Sequence, residues 1–126
     1  MEKKIILTST APAPIGPYSQ AVMVGNTLYC SGQIALNTKG DIVNDSIQAQ
    51  VKQVMKNIGA LLKAAQMDYS NIVKTSIFLT DMDDFAKVNE IYASYFTSNF
   101  PARETIQVSA LPKKVNVEIS VIAVAN

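Results

Sequence analysis

The 126 residues contain no histidine and no tryptophan, and cysteine occurs once, at Cys30. Without histidine, a Ser-His-Asp or Cys-His nucleophile cannot be assembled, and histidine-ligated metal centres are excluded. A zinc site would need one thiolate and several carboxylates, an unusual donor set, so no metal site is expected. A lone cysteine forms no internal disulfide, which makes a reducing, cytoplasmic setting the default expectation. Proton transfer must fall to carboxylates, tyrosine, lysine, backbone groups or bound water.

An excess of charge is missing as well. Eleven basic and ten acidic residues leave a net charge of +1. Dedicated nucleic-acid or anionic-membrane surfaces show a strong basic excess, so neither partner is expected. Long apolar runs are also absent. The N-terminal MEKKIILTST offers only Ile5-Ile6-Leu7, short of the roughly 7–15 apolar residues of a secretory leader. Nothing approaches the ~20 residues needed to cross a bilayer. There are no repeats, low-complexity segments or interdomain linkers. At 48% hydrophobic and 17% charged, residues 1–126 read as a single domain with a substantial core.

Periodicity supplies the elements. Residues 3–8 read as a short strand, and Ala11 to Pro17 as a rigid loop with three prolines. AVMV and TLYCSG flank Gly25-Asn26, a two-residue hairpin signal. A strand-like piece around Gln33–Leu36 follows. Over 46–66, Ile47, Val51, Val54, Ile58, Leu61 and Ala65 form one helical stripe, with Asp45 or Asn44 as the cap. Gly59 inside it suggests close packing of helix on sheet. Residues 72–80 read as a buried strand. A second helix starts at Asp81, Asp83 or Asp84, with Phe85, Val88, Tyr92 and Tyr95 as its buried stripe. Strands over about 104–110 and 115–124 close the chain. The order β-β-β-α-β-α-β-β implies an α+β domain: about six strands with two helices on one face. Several strands are apolar at both parities, which implies a second buried face and hence a homo-oligomer.

The last two strands carry the most interesting polar residues. Arg103, Thr105 and Gln107 share one face of the first; Glu118 and Ser120 share the polar face of the second. If the two pair as a hairpin with apolar faces aligned, Arg103 and Glu118 share a face. Either Gln107 or Thr105 then lies opposite Glu118. Arg103 offers a fixed fork of donors suited to a carboxylate. Glu118, in an apolar strand, is expected to have a raised pKa useful for proton transfer. The competing reading is a structural Arg103–Glu118 or Arg103–Glu104 ion pair. Tyr18 beside Gly16-Pro17, Gly32 at a strand end and Asn89 in the second helix are weaker candidates, each with an ordinary structural explanation. Cys30 reads as inert core, and the Asp81–Asp84 cluster as helix capping.

These residues fall in recognisable motifs. Ile15-Gly16-Pro17-Tyr18-Ser19-Gln20-Ala21, Ser31-Gly32-Gln33-Ile34, Pro101-Ala102-Arg103, Leu111-Pro112 and Val117-Glu118-Ile119 together resemble the Rid family, the YjgF-like reactive-intermediate deaminases, in its imine-deaminase branch. The resemblance covers essentially the whole chain. It implies a chorismate-mutase-like α+β fold assembled as a homotrimer, with sites between subunits and no metal or organic cofactor. The implied activity is hydrolysis of 2-imino acids such as 2-iminobutanoate and 2-iminopropanoate, released by pyridoxal-phosphate dehydratases, to 2-oxo acids and ammonia. On this sequence it implies that Arg103 binds the substrate carboxylate, Glu118 directs water and Tyr18 lines the pocket. Gly32 contributes backbone contacts, and Asn89 lies near the same cleft. Glu104 stands where many relatives have a small residue, and by parity should point away from Arg103. Thr105 stands where many have cysteine; it keeps a backbone contact but removes a site thiol. The alternatives are a non-catalytic module that binds small carboxylates, 2-oxo acids among them, and RNA cleavage, against which the charge balance and missing histidine weigh.

Overall fold

A computed structural model describes residues 1–126. Strands β1 (Lys3–Ile6), β2 (Ala21–Val24) and β3 (Thr27–Cys30) precede helix α1 (Ile47–Ala64). Then come β4 (Ile72–Leu79), helix α2 (Phe85–Ala93), β5 (Ala102–Gln107) and β6 (Val117–Val124). The strands form one mixed sheet in the order β1-β2-β3-β6-β4-β5. Only β4 and β5 run parallel; the other neighbours are antiparallel.

Local chemistry accounts for most of these elements. Gly25 has φ 59°, the left-handed conformation that a two-residue hairpin turn between β2 and β3 requires. The cap of α1 is Ser46, not Asp45 or Asn44: its backbone is extended and its hydroxyl accepts the Ala49 N–H at 3.0 Å. Asp81 caps a 3₁₀ turn at Met82–Asp84 through the Asp83 N–H, and α2 follows without a side-chain cap. Gln33–Leu36 is not a strand; it makes isolated bridges from Gln33 to Ile119 and from Leu36 to Ile42.

Both helices lie on one face of the sheet. Val51, Val54, Ile58 and Leu61 of α1 are fully buried there with Leu28, Ile77, Val117, Ile119 and Ala123. Tyr92 of α2 is buried and bonds Thr75 of β4 at 3.0 Å. Gly59 packs against the loop that follows α1, not against the sheet: a Cβ there would strike the Tyr69 phenol, which donates to the Met55 carbonyl at 2.6 Å. The opposite face has no helix over it. One row across it runs Ile5, Val22, Tyr29, Ile122, Lys74 and Ala102. Ile5 and Tyr29 remain 49% exposed, which leaves an apolar surface in water.

The expected β5–β6 hairpin does not form. β6 inserts between β3 and β4, and β5 takes the outer edge, parallel to β4. A parallel pair needs a crossover, and α2 supplies it between β4 and β5. The reversal in alignment follows from this order. Arg103 pairs across to Thr75 and Val121, both buried under the helices. Glu118 pairs across to Phe78 and Ile106 on the open face. Because directly opposed residues share a face, Arg103 and Glu118 point to opposite sides of one sheet. The parity within each strand holds; the inference that the two residues share a face does not. The assumption behind it was that Ile106 faces the core, whereas on this edge strand Ile106 is 47% exposed.

Candidate functional site

Two separate clusters of candidate residues result. On the helix face, Arg103 reaches from the edge strand β5 to α2. Its Nη1 donates to Asn89 Oδ1 at 2.7 Å. The guanidinium carbon lies 5.5 Å from the Phe85 ring centroid and 5.3 Å from that of Tyr92. Asn89, Tyr92, Ala93, Phe100, Pro101 and Arg103 line a cavity of about 260 Å³. No carboxylate pairs with the guanidinium: the single ion pair of the chain joins Lys74 Nζ to Glu104 Oε1 at 2.7 Å. Both structural ion-pair readings of Arg103 are thereby removed. With one hydrogen bond made, the fork keeps donors free for an anion. Thr105 follows on the same strand face, and its buried hydroxyl has no hydrogen-bond partner.

On the open face, Glu118 lines a cavity of about 330 Å³ with Ile15, Tyr18, Ser31, Gly32, Ile34 and Pro112. Burial raises its pKa above the ordinary 4.5. Gly32 touches the carboxylate directly: a Cβ at this position would lie 2.8 Å from both Cδ and Oε2 of Glu118. The missing side chain at Gly32 leaves room for the Glu118 carboxylate to sit against the backbone. Tyr18 is 49% exposed, and its phenol oxygen accepts the Ile15 N–H at 3.3 Å. That bond folds the loop back over the cavity. Ser31 fixes the other wall through its hydroxyl, which donates to the Ser19 carbonyl at 2.6 Å.

The structure therefore joins Arg103 with Asn89, and Glu118 with Gly32 and Tyr18, but it does not join the two groups. Sequence reasoning missed Phe85 and Tyr92 as neighbours of Arg103. The signal was present: Phe85, Asn89 and Tyr92 stand at i, i+4 and i+7, one face of α2. It was hidden because aromatics at that spacing also suit a core, yet Phe85 is 38% exposed. Glu104 does point away from Arg103; its carboxylate accepts from Lys74 and from the Ser76 hydroxyl, and the first of these contacts leads in holding its pKa below 4.5. Cys30 is buried, and its thiol pKa is pushed up to about 12 by desolvation, so it is not a nucleophile. No three His, Cys, Asp or Glu side chains converge as metal ligands, and no helix is long and apolar enough to cross a membrane.

Fold and pockets together define an α+β protein with two small cavities, one holding a guanidinium without a carboxylate partner and the other a half-buried carboxyl. Comparison with known proteins narrows the class. A family model described as Endoribonuclease L-PSP matches residues 8–125, and the chain belongs to that family. It is 50% identical over 123 residues to the human 2-iminobutanoate/2-iminopropanoate deaminase, covering 97% of this chain and 90% of that one. A crystal structure of a conserved Rid family protein, YyfA from Yersinia pestis, superposes with a TM-score of 0.96 at 50% identity, over 98% of this chain and 100% of that one. E. coli TdcF, solved with bound serine, superposes with a TM-score of 0.93 at 39% identity, over 98% and 99% of the two chains.

Proposed function

We propose that this protein, a single Rid-type domain over residues 1–126, hydrolyses 2-imino acids and their enamine tautomers to 2-oxo acids and ammonia, at sites shared between subunits of a homotrimer. The observation that carries the reading is the unpaired Arg103 guanidinium set in its own cavity. Such a fork takes a carboxylate in two parallel hydrogen bonds. The bound serine named for TdcF is a ligand of this kind, and the human relative is named for imines of the same size.

The two-sided arrangement supports a site shared between copies, and the family resemblance makes three the number proposed. A 2-imino acid of four carbons cannot touch both faces of one sheet. The open face also exposes Ile5 and Tyr29, which a second copy would cover. A neighbouring subunit seated there brings its β5 edge, with Arg103 and Thr105, and Asn89 of the adjoining α2, to the cavity of Glu118, Gly32 and Tyr18. Arg103 then holds the carboxylate, and the imine carbon lies beside Glu118. Glu118 accepts a proton as water adds to the C=N carbon and returns it to nitrogen. The resulting carbinolamine expels ammonia and leaves the 2-oxo acid. Fixing both reactants in place supplies most of the acceleration. No group beyond the chain's own is required, and the single buried cysteine suits a reducing compartment, the cytoplasm.

The test is the decay of 2-iminobutanoate with wild type, Arg103→Ala and Glu118→Ala. Acceleration by wild type and loss of at least about 10²-fold in each variant is expected. Equal decay with wild type and Arg103→Ala would remove the clamp from the mechanism. Tight 2-oxobutanoate binding by calorimetry, without any acceleration, would instead identify a sensor of small carboxylates. RNA cleavage has little support from a net charge of +1 without histidine.

A further inference from the structure

The geometry points to Phe85 as a positioning residue of the carboxylate clamp: with Tyr92 and Asn89 it holds the Arg103 guanidinium in one plane and shields it from water. The inference deepens the proposed function and rests on Arg103 as the anion-binding group. Phe85 and Tyr92 are seven residues apart on α2, so they stand about 10 Å apart along its axis. The guanidinium carbon is 5.5 Å from one ring centroid and 5.3 Å from the other. It therefore lies within cation–π reach of both rings, with Asn89, midway along the same helix face, accepting from Nη1 at 2.7 Å.

Each neighbour contributes something different. Asn89 fixes one edge of the fork. Tyr92 is itself fixed, because it is buried and its hydroxyl bonds Thr75 at 3.0 Å. Phe85 has no such anchor: it is the first residue of α2, which has no side-chain cap, and it is 38% exposed. A large apolar ring left partly in water at a helix start contributes little to the core. What it does contact is the cation. A ring face attracts a guanidinium, and displacing water from beside the charge strengthens its attraction for a carboxylate. An arginine without these neighbours would sample many rotamers and lose entropy on binding. The rings and the amide remove that loss before the substrate arrives.

Phe85→Leu keeps apolar volume and removes the ring quadrupole. Its KM for 2-iminobutanoate and its Kd for 2-oxobutanoate should both rise about two- to fivefold, the size of a partly exposed cation–π contact. Its kcat should stay within about twofold and its melting temperature nearly unchanged. Phe85→Tyr should restore both constants. In an Arg103→Ala background, Phe85→Leu should have no further effect on Kd. Unchanged KM and Kd in Phe85→Leu, or an undiminished effect of Phe85→Leu without Arg103, overturns the inference. So does a loss confined to kcat or to stability. If wild type binds 2-oxobutanoate but does not accelerate imine loss, the deaminase reading fails while the Kd comparison still decides the role of Phe85.

Discussion

Arg103 meets an amide at 2.7 Å and two aromatic rings, whereas Glu118 meets a glycine backbone and mostly apolar walls, with burial as the cause of its raised pKa. The first set of neighbours immobilises a permanent charge. The second leaves a carboxyl poorly solvated and hence willing to carry a proton. Binding needs a group that neither moves nor titrates. Proton transfer needs one whose two states are close in free energy at the working pH. Arg103 and Glu118, suited one to each requirement, lie on opposite faces of the sheet. On the shared-site reading proposed above, neither half works without a second copy.

Mixing subunits breaks this arrangement most directly. Arg103→Ala and Glu118→Ala are each expected to be inactive, having lost one half everywhere. Refolded together in equal amounts, they should regain activity. In random trimers about a quarter of the sites pair an intact Arg103 from one subunit with an intact Glu118 from the next. The assay is 2-iminobutanoate decay before and after co-refolding. If mixed trimers form and none of the activity returns, both halves act within one chain and the shared-site geometry is wrong.

Glu118→Gln sharpens the comparison from the other side. It keeps shape and removes proton transfer, so kcat should drop about 10²-fold with KM little changed. In wild type, kcat should rise with pH through the elevated Glu118 pKa, which lies above 4.5; the variant should lack that limb. Stability has a definite sign. The folded state holds the Glu118 proton more tightly than the unfolded chain does. Its contribution is therefore complete below pH 4.5 and lost as pH rises through the folded value. Thermal melts from pH 4 to 7 should show wild type losing ground to Glu118→Gln.

How much of this was legible beforehand depends on what range of interaction decides each feature. The helical stripe Val51-Val54-Ile58-Leu61, the Gly25-Asn26 turn and the parity of β5 and β6 are local, and the sequence displays them. The neighbour of each strand is not local. Nothing in 102–124 says that β4 will separate its two strands, because that pairing depends on a crossover through α2. One wrong neighbour sufficed to turn Arg103 to the wrong side. The cap of α1 shows the same limit on a smaller scale: Asp45, Asn44 and Ser46 are all good caps, and only backbone conformation chooses among them. The candidate site residues were singled out by strand parity and by motifs, neither of which says to which face of the finished sheet each is turned.

Gly32→Ala is expected to act on the Glu118 half alone. The new methyl meets the carboxylate at 2.8 Å, and the far end of that side chain can swing away. Stability should therefore change little, while the displaced carboxylate costs about tenfold in kcat, since misplacements near 1 Å can cost up to 10²-fold. The Kd for 2-oxobutanoate, set by the Arg103 half, should stay within about twofold. A matching loss of affinity would mean that the halves are not functionally separate.

Glu104 is the smallest and most discriminating case, because it belongs to the strand of Arg103 but to the face of Glu118. If proximity in sequence mattered, Glu104→Gln would disturb the clamp. Its partners are Lys74 and Ser76, so kcat and KM are both expected to stay within about twofold, as for an exposed ion pair. Its pH signature should nonetheless be readable. Hydrogen bonding from Lys74 and Ser76 holds the Glu104 pKa below 4.5, so its contribution to stability is present above pH 4.5 and is lost as pH falls through the lower folded value. Wild type should therefore lose ground to Glu104→Gln below pH 4.5, and to Glu118→Gln above it. Two carboxyls on one face of one sheet would then drift in opposite directions, one held by partners and the other by the lack of them. If wild type gains on Glu118→Gln as pH rises, as it should on Glu104→Gln, desolvation is not what distinguishes Glu118.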